Sequence, residues 1–155
     1  LRSWVGSRQA GPQEEIVFEG RLAGGCLDCL ANLVGTGYDG VRAFADRYSQ
    51  GGIVWFLESC DLTVMAMRRA VWEMKHAGWF EHAKGFLIGR PLHFGEEIRG
   101  LDQYRAVTDL LAEYGVPVIM DADFGHLPPA MPLVSGAVGE VTVKGNEIGI
   151  RYEMK

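Results

Sequence analysis

I-V-W-F-L-E, residues 53 to 58, is the stretch on which the reading of this chain turns. Five apolar residues stand between a glycine pair, Gly51 and Gly52, and a carboxylate, Glu58. The run is short and opens on β-branched residues, so it reads as a strand buried on both faces. Two further runs repeat the theme: G-F-L-I-G at 85 to 89 and P-V-I-M at 117 to 120. Helical patterns lie between them. Val64, Met67, Val71 and Met74 recur at helical spacing, with Asp61 or Thr63 as the cap and Gly78 as the stop. Leu101, Tyr104, Val107, Leu110 and Leu111 repeat that spacing over 101 to 114, before Gly115. Strands that alternate with helices predict an α/β fold, with a mixed, mainly parallel sheet covered by helices.

Working outward, I-V-F-E-G-R-L at 16 to 22 is a strand candidate. Gly24 and Gly25 then open a helix, C-L-D-C-L-A-N-L-V, closed by Gly35. Residues 40 to 49 form a second short helix. The tail, V-G-E-V-T-V, K-G-N, E-I-G-I-R-Y, is a C-terminal β-hairpin. Residues 1 to 12 are polar and punctuated by glycine and proline, and are expected to be a linker remnant. The first residue is Leu1, with neither a signal peptide nor an initiator methionine, which reads as a piece of something longer.

A chain of 155 residues is the size of one domain, and 48% hydrophobic with 23% charged residues is ordinary for a globular one. The net charge of −5 and the lack of a basic cluster beyond Arg68 and Arg69 argue against a nucleic-acid partner. No apolar run is long enough to cross a bilayer, so no membrane partner is expected. Three cysteines, Cys26, Cys29 and Cys60, do not make a secreted disulfide framework, and a reducing, cytoplasmic setting is expected.

In parallel sheets, sites gather beyond the carboxyl ends of the strands. Two polar residues stand there. Glu58 closes its apolar run, where desolvation is costly unless a partner holds the carboxylate. His126 follows P-V-I-M-D-A-D-F-G and precedes Pro128 and Pro129. A carboxylate on one ring nitrogen fixes the tautomer and favours the protonated ring, as a general base requires. The plainer alternative, on pattern alone the stronger, has Glu58 capping a helix and His126 bonding its turn. C-L-D-C at 26 to 29 offers a redox pair or half a metal site. Its plainer reading is two small, partly buried thiols on a helix. Asp121 and Asp123 alternate at a strand end, so they are expected on one face, as turn formers or as ligands of a hard cation. Glu96 and Glu97 read as solvated helix-start residues, and His76, His82 and His93 as surface or helix-end residues.

Taken in order, E-G-R-L-A-G-G-C-L-D-C-L, W-F-L-E-S, R-R-A-V-W-E-M-K-H-A-G-W-F, G-F-L-I-G-R-P and D-F-G-H-L-P-P-A-M-P-L resemble the C-terminal domain of the LD-carboxypeptidases, from about Glu19 onward. The resemblance implies a swivelling β/β/α-type domain over residues 13 to 155. It implies a serine peptidase that hydrolyses the amide to a C-terminal residue, as in peptidoglycan-type peptides, with neither metal nor organic cofactor. Glu58 and His126 fall at the positions of the family's catalytic glutamate and histidine. The serine nucleophile and oxyanion hole are implied to lie in an N-terminal domain absent here, since none of Ser3, Ser7, Ser49, Ser59 or Ser135 matches. That domain and a peptide are the partners implied, with a homodimer of the full-length protein also admissible. The fragment alone is expected to be inactive. Arg69 stands where the family has a helix arginine. Cys26 and Asp28 stand where the family commonly reads asparagine and serine. The alternative left open is a non-enzymatic ligand-binding or interaction module of the same fold.

Overall fold

The computed structural model describes residues 1–153. The last two residues of the expected domain, 154 and 155, therefore lie outside the described residues. The strands are β1 (Arg2–Val5), β2 (Arg8–Gln9), β3 (Glu15–Cys26), β4 (Ile53–Glu58), β5 (Ala83–Gly89), β6 (Glu97–Ile98), β7 (Leu101–Asp102), β8 (Pro117–Ala122), β9 (Val138–Lys144) and β10 (Glu147–Glu153). The α-helices are α1 (Leu27–Leu30), α2 (Val41–Arg47), α3 (Val64–His76) and α4 (Gln103–Leu111).

Eight strands form one sheet in the order β10-β9-β3-β4-β5-β8-β1-β2. Its centre, β3-β4-β5-β8, is parallel. The β9–β10 hairpin flanks it antiparallel on one side, and β1 with β2 on the other. The alternation of β4 shows why the central runs are continuously apolar. Ile53, Trp55 and Leu57 face a core shared with α3 and α4, whereas Val54 and Phe56 face a second core. Among the described residues, helices cover only the first face. The second is closed by the sheet's own residues, Ile16, Phe18, Leu87, Ile119, Val141 and Val143, together with Phe124, Met131 and Leu133 from the connection after β8.

The structure departs from the sequence reading at several points. Residues 1 to 12, expected as a linker remnant, carry β1 and β2, and Arg2–Val5 adds a strand beside β8. Gly24 and Gly25 do not open a helix. They extend β3 along β4 to the pair Cys26–Glu58. A side chain at Gly24 would put its Cβ 1.8 Å from the Phe56 carbonyl oxygen, so only glycine lets the strands run together this far. The helix after them is a single turn. Helix α3 matches its expected limits: Thr63 Oγ1 accepts from the Ala66 amide, and Glu96 Oε2 accepts from Val64 N at 2.7 Å. Glu96 therefore caps a neighbouring helix rather than starting its own. Helix α4 starts after Asp102, whose carboxylate accepts from Arg105 N at 2.8 Å.

Strand β8 breaks its own alternation. Val118 and Met120 face the helical core and Ile119 the other, yet Ala122 also faces the second core. The slip falls at Asp121, which has φ 64°, where the register with β5 shifts between Leu87 and Gly89. A bulge of this kind turns the chain and re-aims the residues beyond it. Here those residues are the connection that carries His126.

Candidate active site

Glu58 is the last residue of β4 and is buried, while His126 lies on the exposed connection after β8. Their side chains meet: His126 Nδ1 and Glu58 Oε2 are 2.7 Å apart across 68 positions of sequence. A carboxylate only accepts, so Nδ1 carries the hydrogen and the neutral ring keeps its lone pair on Nε2. Among the described residues no hydrogen bond reaches Nε2. The imidazole is 45% exposed and the glutamate side chain 9%. The hydrogen bond and charge of Glu58 raise the His126 pKa above its ordinary value, partial burial opposes this, and Asp28 adds a smaller upward push.

Two glycines wall in the carboxylate. A Cβ at Gly89 would lie 2.9 Å from Glu58 Cβ and 2.5 Å from the Phe124 carbonyl oxygen. Gly125 has φ 104°, and a Cβ there would lie 2.8 Å from Glu58 Oε2. Any larger residue at either position would push the loop off the glutamate. Phe124 anchors the loop from below, buried in the second core against Phe56. Arg90, directly after β5, anchors it from the side. Its Nη2 donates to the carbonyls of Pro128 and Pro129 at 3.1 and 3.2 Å and pairs with Asp123 Oδ1 at 2.9 Å.

Cys26 borders the pair on the β3 side, in register with Glu58. Burial, foremost, pushes its thiol pKa up to about 12; the backbone amide of Asp28 opposes this, and the carboxylates of Asp28 and Glu58 add to it. A helix dipole does not offset this: the helix behind Cys26 is one turn long, and two carboxylates face the sulfur. Cys29 is exposed and all three cysteines are free. Asp28 ties the connection after Glu58 in place by accepting from the amides of Cys60 and Asp61 at 2.9 and 2.8 Å. Burial pushes its carboxyl up, but those amides prevail and hold it low.

Asp121 and Asp123 do not share a face. The bulge turns Asp121 to α4, where it accepts from Gln103 Nε2 and Tyr104 Oη, each at 2.9 Å, while Asp123 pairs with Arg90. Both carboxylates are spent on holding the loop's two roots. Ser59 is wholly buried, and Arg69 is exposed on α3. The sequence reading missed Arg90, Gly89 and the nearness of Cys26. Each stands at the carboxyl end of a parallel strand, which was the available signal.

Residues 19–141 match the LD-carboxypeptidase C-terminal domain. The chain belongs to that family. No curated protein matches it. Among solved structures, this LD-carboxypeptidase domain is similar to muramoyltetrapeptide carboxypeptidase from Oxalobacter formigenes (TM-score 0.73, 22% identity, 97% of this chain and 48% of that one). It is also similar to the microcin C7 self-immunity protein MccF (TM-score 0.67, 22% identity, 89% and 39%). A third relative is an MccF-like protein from Streptococcus pneumoniae in complex with AMP (TM-score 0.61, 18% identity, 88% and 41%). These likenesses establish the α/β fold with its mixed sheet. The chain spans about half the length of these relatives or less. Among the described residues no helix is long and apolar enough to cross a membrane.

Proposed function

We propose that this domain supplies the general base, His126, and its orienting carboxylate, Glu58, to a serine-type LD-carboxypeptidase. The 2.7 Å contact between Nδ1 and Oε2 supports this most directly, because it leaves Nε2 as the proton acceptor on the exposed side of the ring. The nucleophilic serine and the oxyanion-hole amides come from an N-terminal domain outside this sequence. Nε2 takes the serine proton as Oγ attacks the peptide carbonyl, and Glu58 stabilises the imidazolium. The same proton then goes to the leaving amine, and the ring repeats the cycle on water to release the acyl group. No step needs a metal or an organic cofactor. The substrate class is a peptide whose C-terminal residue is released from an L-centre, as in the stem peptides of peptidoglycan recycling or a related peptide. The setting is cytoplasmic, and the full-length protein is the working unit, with a homodimer as one admissible assembly.

The test is release of the terminal residue from an L,D-tetrapeptide by three samples. The 155-residue chain alone should show no turnover. A protein extended upstream through a serine-bearing domain should be active. His126→Ala in that longer protein should lower kcat by about 10²–10⁴-fold or more. Unchanged turnover in that variant would overturn the assignment.

A further inference from the structure

Cys26, Glu58 and His126 form a triangle, with one ligand atom from each lying within 4.8 Å of the others. They come from three separate parts of the chain: the end of β3, the end of β4 and the connection after β8. Thiol, carboxylate and imidazole are a mixed donor set of the kind that holds zinc. We propose that this triangle is a binding site for a soft divalent cation of the zinc class, with three protein ligands and one open position.

Three observations carry the geometry. Strand register fixes Cys26 beside Glu58. The 2.7 Å bond fixes His126 against Glu58. Cys26 Sγ donates to Asp28 Oδ2 at 3.3 Å, which holds the thiol beside the pair until its proton is given up. Tetrahedral zinc, with bonds of about 2.3 Å to sulfur and 2.0–2.1 Å to nitrogen, separates its ligand atoms by roughly 3.5 Å. The His126–Glu58 edge, 2.7 Å in its hydrogen-bonded form, must open by roughly 0.8 Å, and the edges to sulfur, within 4.8 Å, must settle at about 3.5 Å; both adjustments are within the reach of side-chain rotation. The imidazole is nearly half exposed, so the fourth position opens to solvent and takes water or an incoming donor. On binding, a metal–sulfur bond replaces the S–H bond and the thiol proton passes to solvent; ligation through Nδ1 replaces the Nδ1–H···Oε2 hydrogen bond, the ring hydrogen moving by way of solvent to Nε2, with no change of oxidation state. Magnesium and calcium demand oxygen shells and would not compete. If the proposed peptidase role holds, ligation engages the base and its orienting carboxylate, so zinc would inhibit. Binding itself does not depend on that role.

The probe is Co²⁺ titrated into the chain under reducing conditions, read by thiolate-to-cobalt charge transfer and by the visible bands of a tetrahedral ion. One Co²⁺ per chain is expected, displaced by Zn²⁺ and indifferent to Mg²⁺. Cys26→Ser should abolish the charge-transfer band, and His126→Ala should weaken affinity at least about 100-fold, since outer partners alone are worth 10–100-fold. His82→Ala should leave the band intact; it disables the other candidate cluster, Asp46, Glu81 and His82, which holds no sulfur. Should a variant fold poorly by circular dichroism, X-ray absorption of the zinc-loaded chain decides instead. One sulfur at about 2.3 Å beside nitrogen and oxygen is expected. A band that survives Cys26→Ser, zinc with no sulfur or with two, or no stoichiometric binding would overturn the site. None of these outcomes bears on whether the extended protein hydrolyses a tetrapeptide.

Discussion

The two ends of the parallel sheet each carry a histidine against a carboxylate, and the two pairs are built differently. At the carboxyl end, His126 meets Glu58 at 2.7 Å, with the glutamate side chain 9% exposed. At the amino end, just before β5, His82 meets Asp46 of α2 at 2.9 Å, with the aspartate 55% exposed. The distances hardly differ. What differs is the acceptor's surroundings: Glu58 ends an apolar strand and is packed between Gly89 and Gly125, whereas Asp46 lies on the open side of a short helix. Water screens the carboxylate of the second pair directly, whereas it reaches the first pair mainly from the imidazole side. A short contact in sequence-distant residues is therefore a weak sign of function until the burial of the acceptor is added to it.

The sharpest way to break this contrast is to neutralise each acceptor in the proposed full-length peptidase. Glu58→Gln keeps the shape but removes the charge that, in the proposed mechanism, stabilises the imidazolium. By analogy with the carboxylate of a serine triad, kcat for tetrapeptide hydrolysis should fall by about 10²–10⁴-fold. Asp46→Asn should leave it within twofold. Equal effects from the two variants would place the importance of Glu58 in stability rather than in chemistry.

The wall around Glu58 should be the next most sensitive feature. Gly125→Ala combines a φ of 104° with a Cβ 2.8 Å from Glu58 Oε2. It should cost about 1–3 kcal/mol in denaturant unfolding. Gly37→Ala, with nothing within 4 Å of its Cβ, should change stability by less than about 0.5 kcal/mol. A neutral Gly125→Ala would mean that the loop can lift off the carboxylate at little cost.

These contrasts also mark what the sequence could disclose. Glu58 was legible because an acid after five apolar residues needs a partner, and His126 because a histidine just beyond another parallel strand's carboxyl end could be that partner. The central strands and α3 were legible from periodicity alone. The bulge at Asp121 was not, because a period of two assumes an unbroken strand, and so the two aspartates were assigned to one face. β1 was hidden in a short polar segment whose pairing with β8 is entirely long-range. Arg90 and Glu96 act on neighbours 33 to 39 and 32 positions away, respectively (Asp123, at 123 − 90, to Pro129; Val64), and no local pattern announces such contacts.

The imidazole titrations sharpen the comparison further. The pKa of His126 is raised by the hydrogen bond and charge of Glu58, with Asp28 contributing and partial burial opposing; Cys26 is the other titratable group facing the pair. A raised folded pKa means that protonation favours the folded state. The stabilisation is fully present below the ordinary imidazole value of 6.5 and is lost as pH rises through the raised one. Ring-proton NMR in chelator-containing buffer should give His126 a midpoint above 6.5, and Glu58→Gln should bring it down. A midpoint that does not move in that variant would mean the pair does not persist in solution.

The smallest effect is expected where the contact looks almost as good. In the His82–Asp46 pair both side chains reach solvent, and the attraction must offset the entropy of holding them together. A double-mutant cycle with His82→Ala and Asp46→Ala, read by denaturant unfolding at pH 6, should give a coupling of no more than about 1 kcal/mol. The same cycle at high salt should shrink it toward zero, because an exposed pair is open to counterions. A larger coupling that resists salt would show that the amino end also shelters its carboxylate. The distinction drawn between the two ends of the sheet would then rest on the hydrogen-bond partner alone and not on the packing around it.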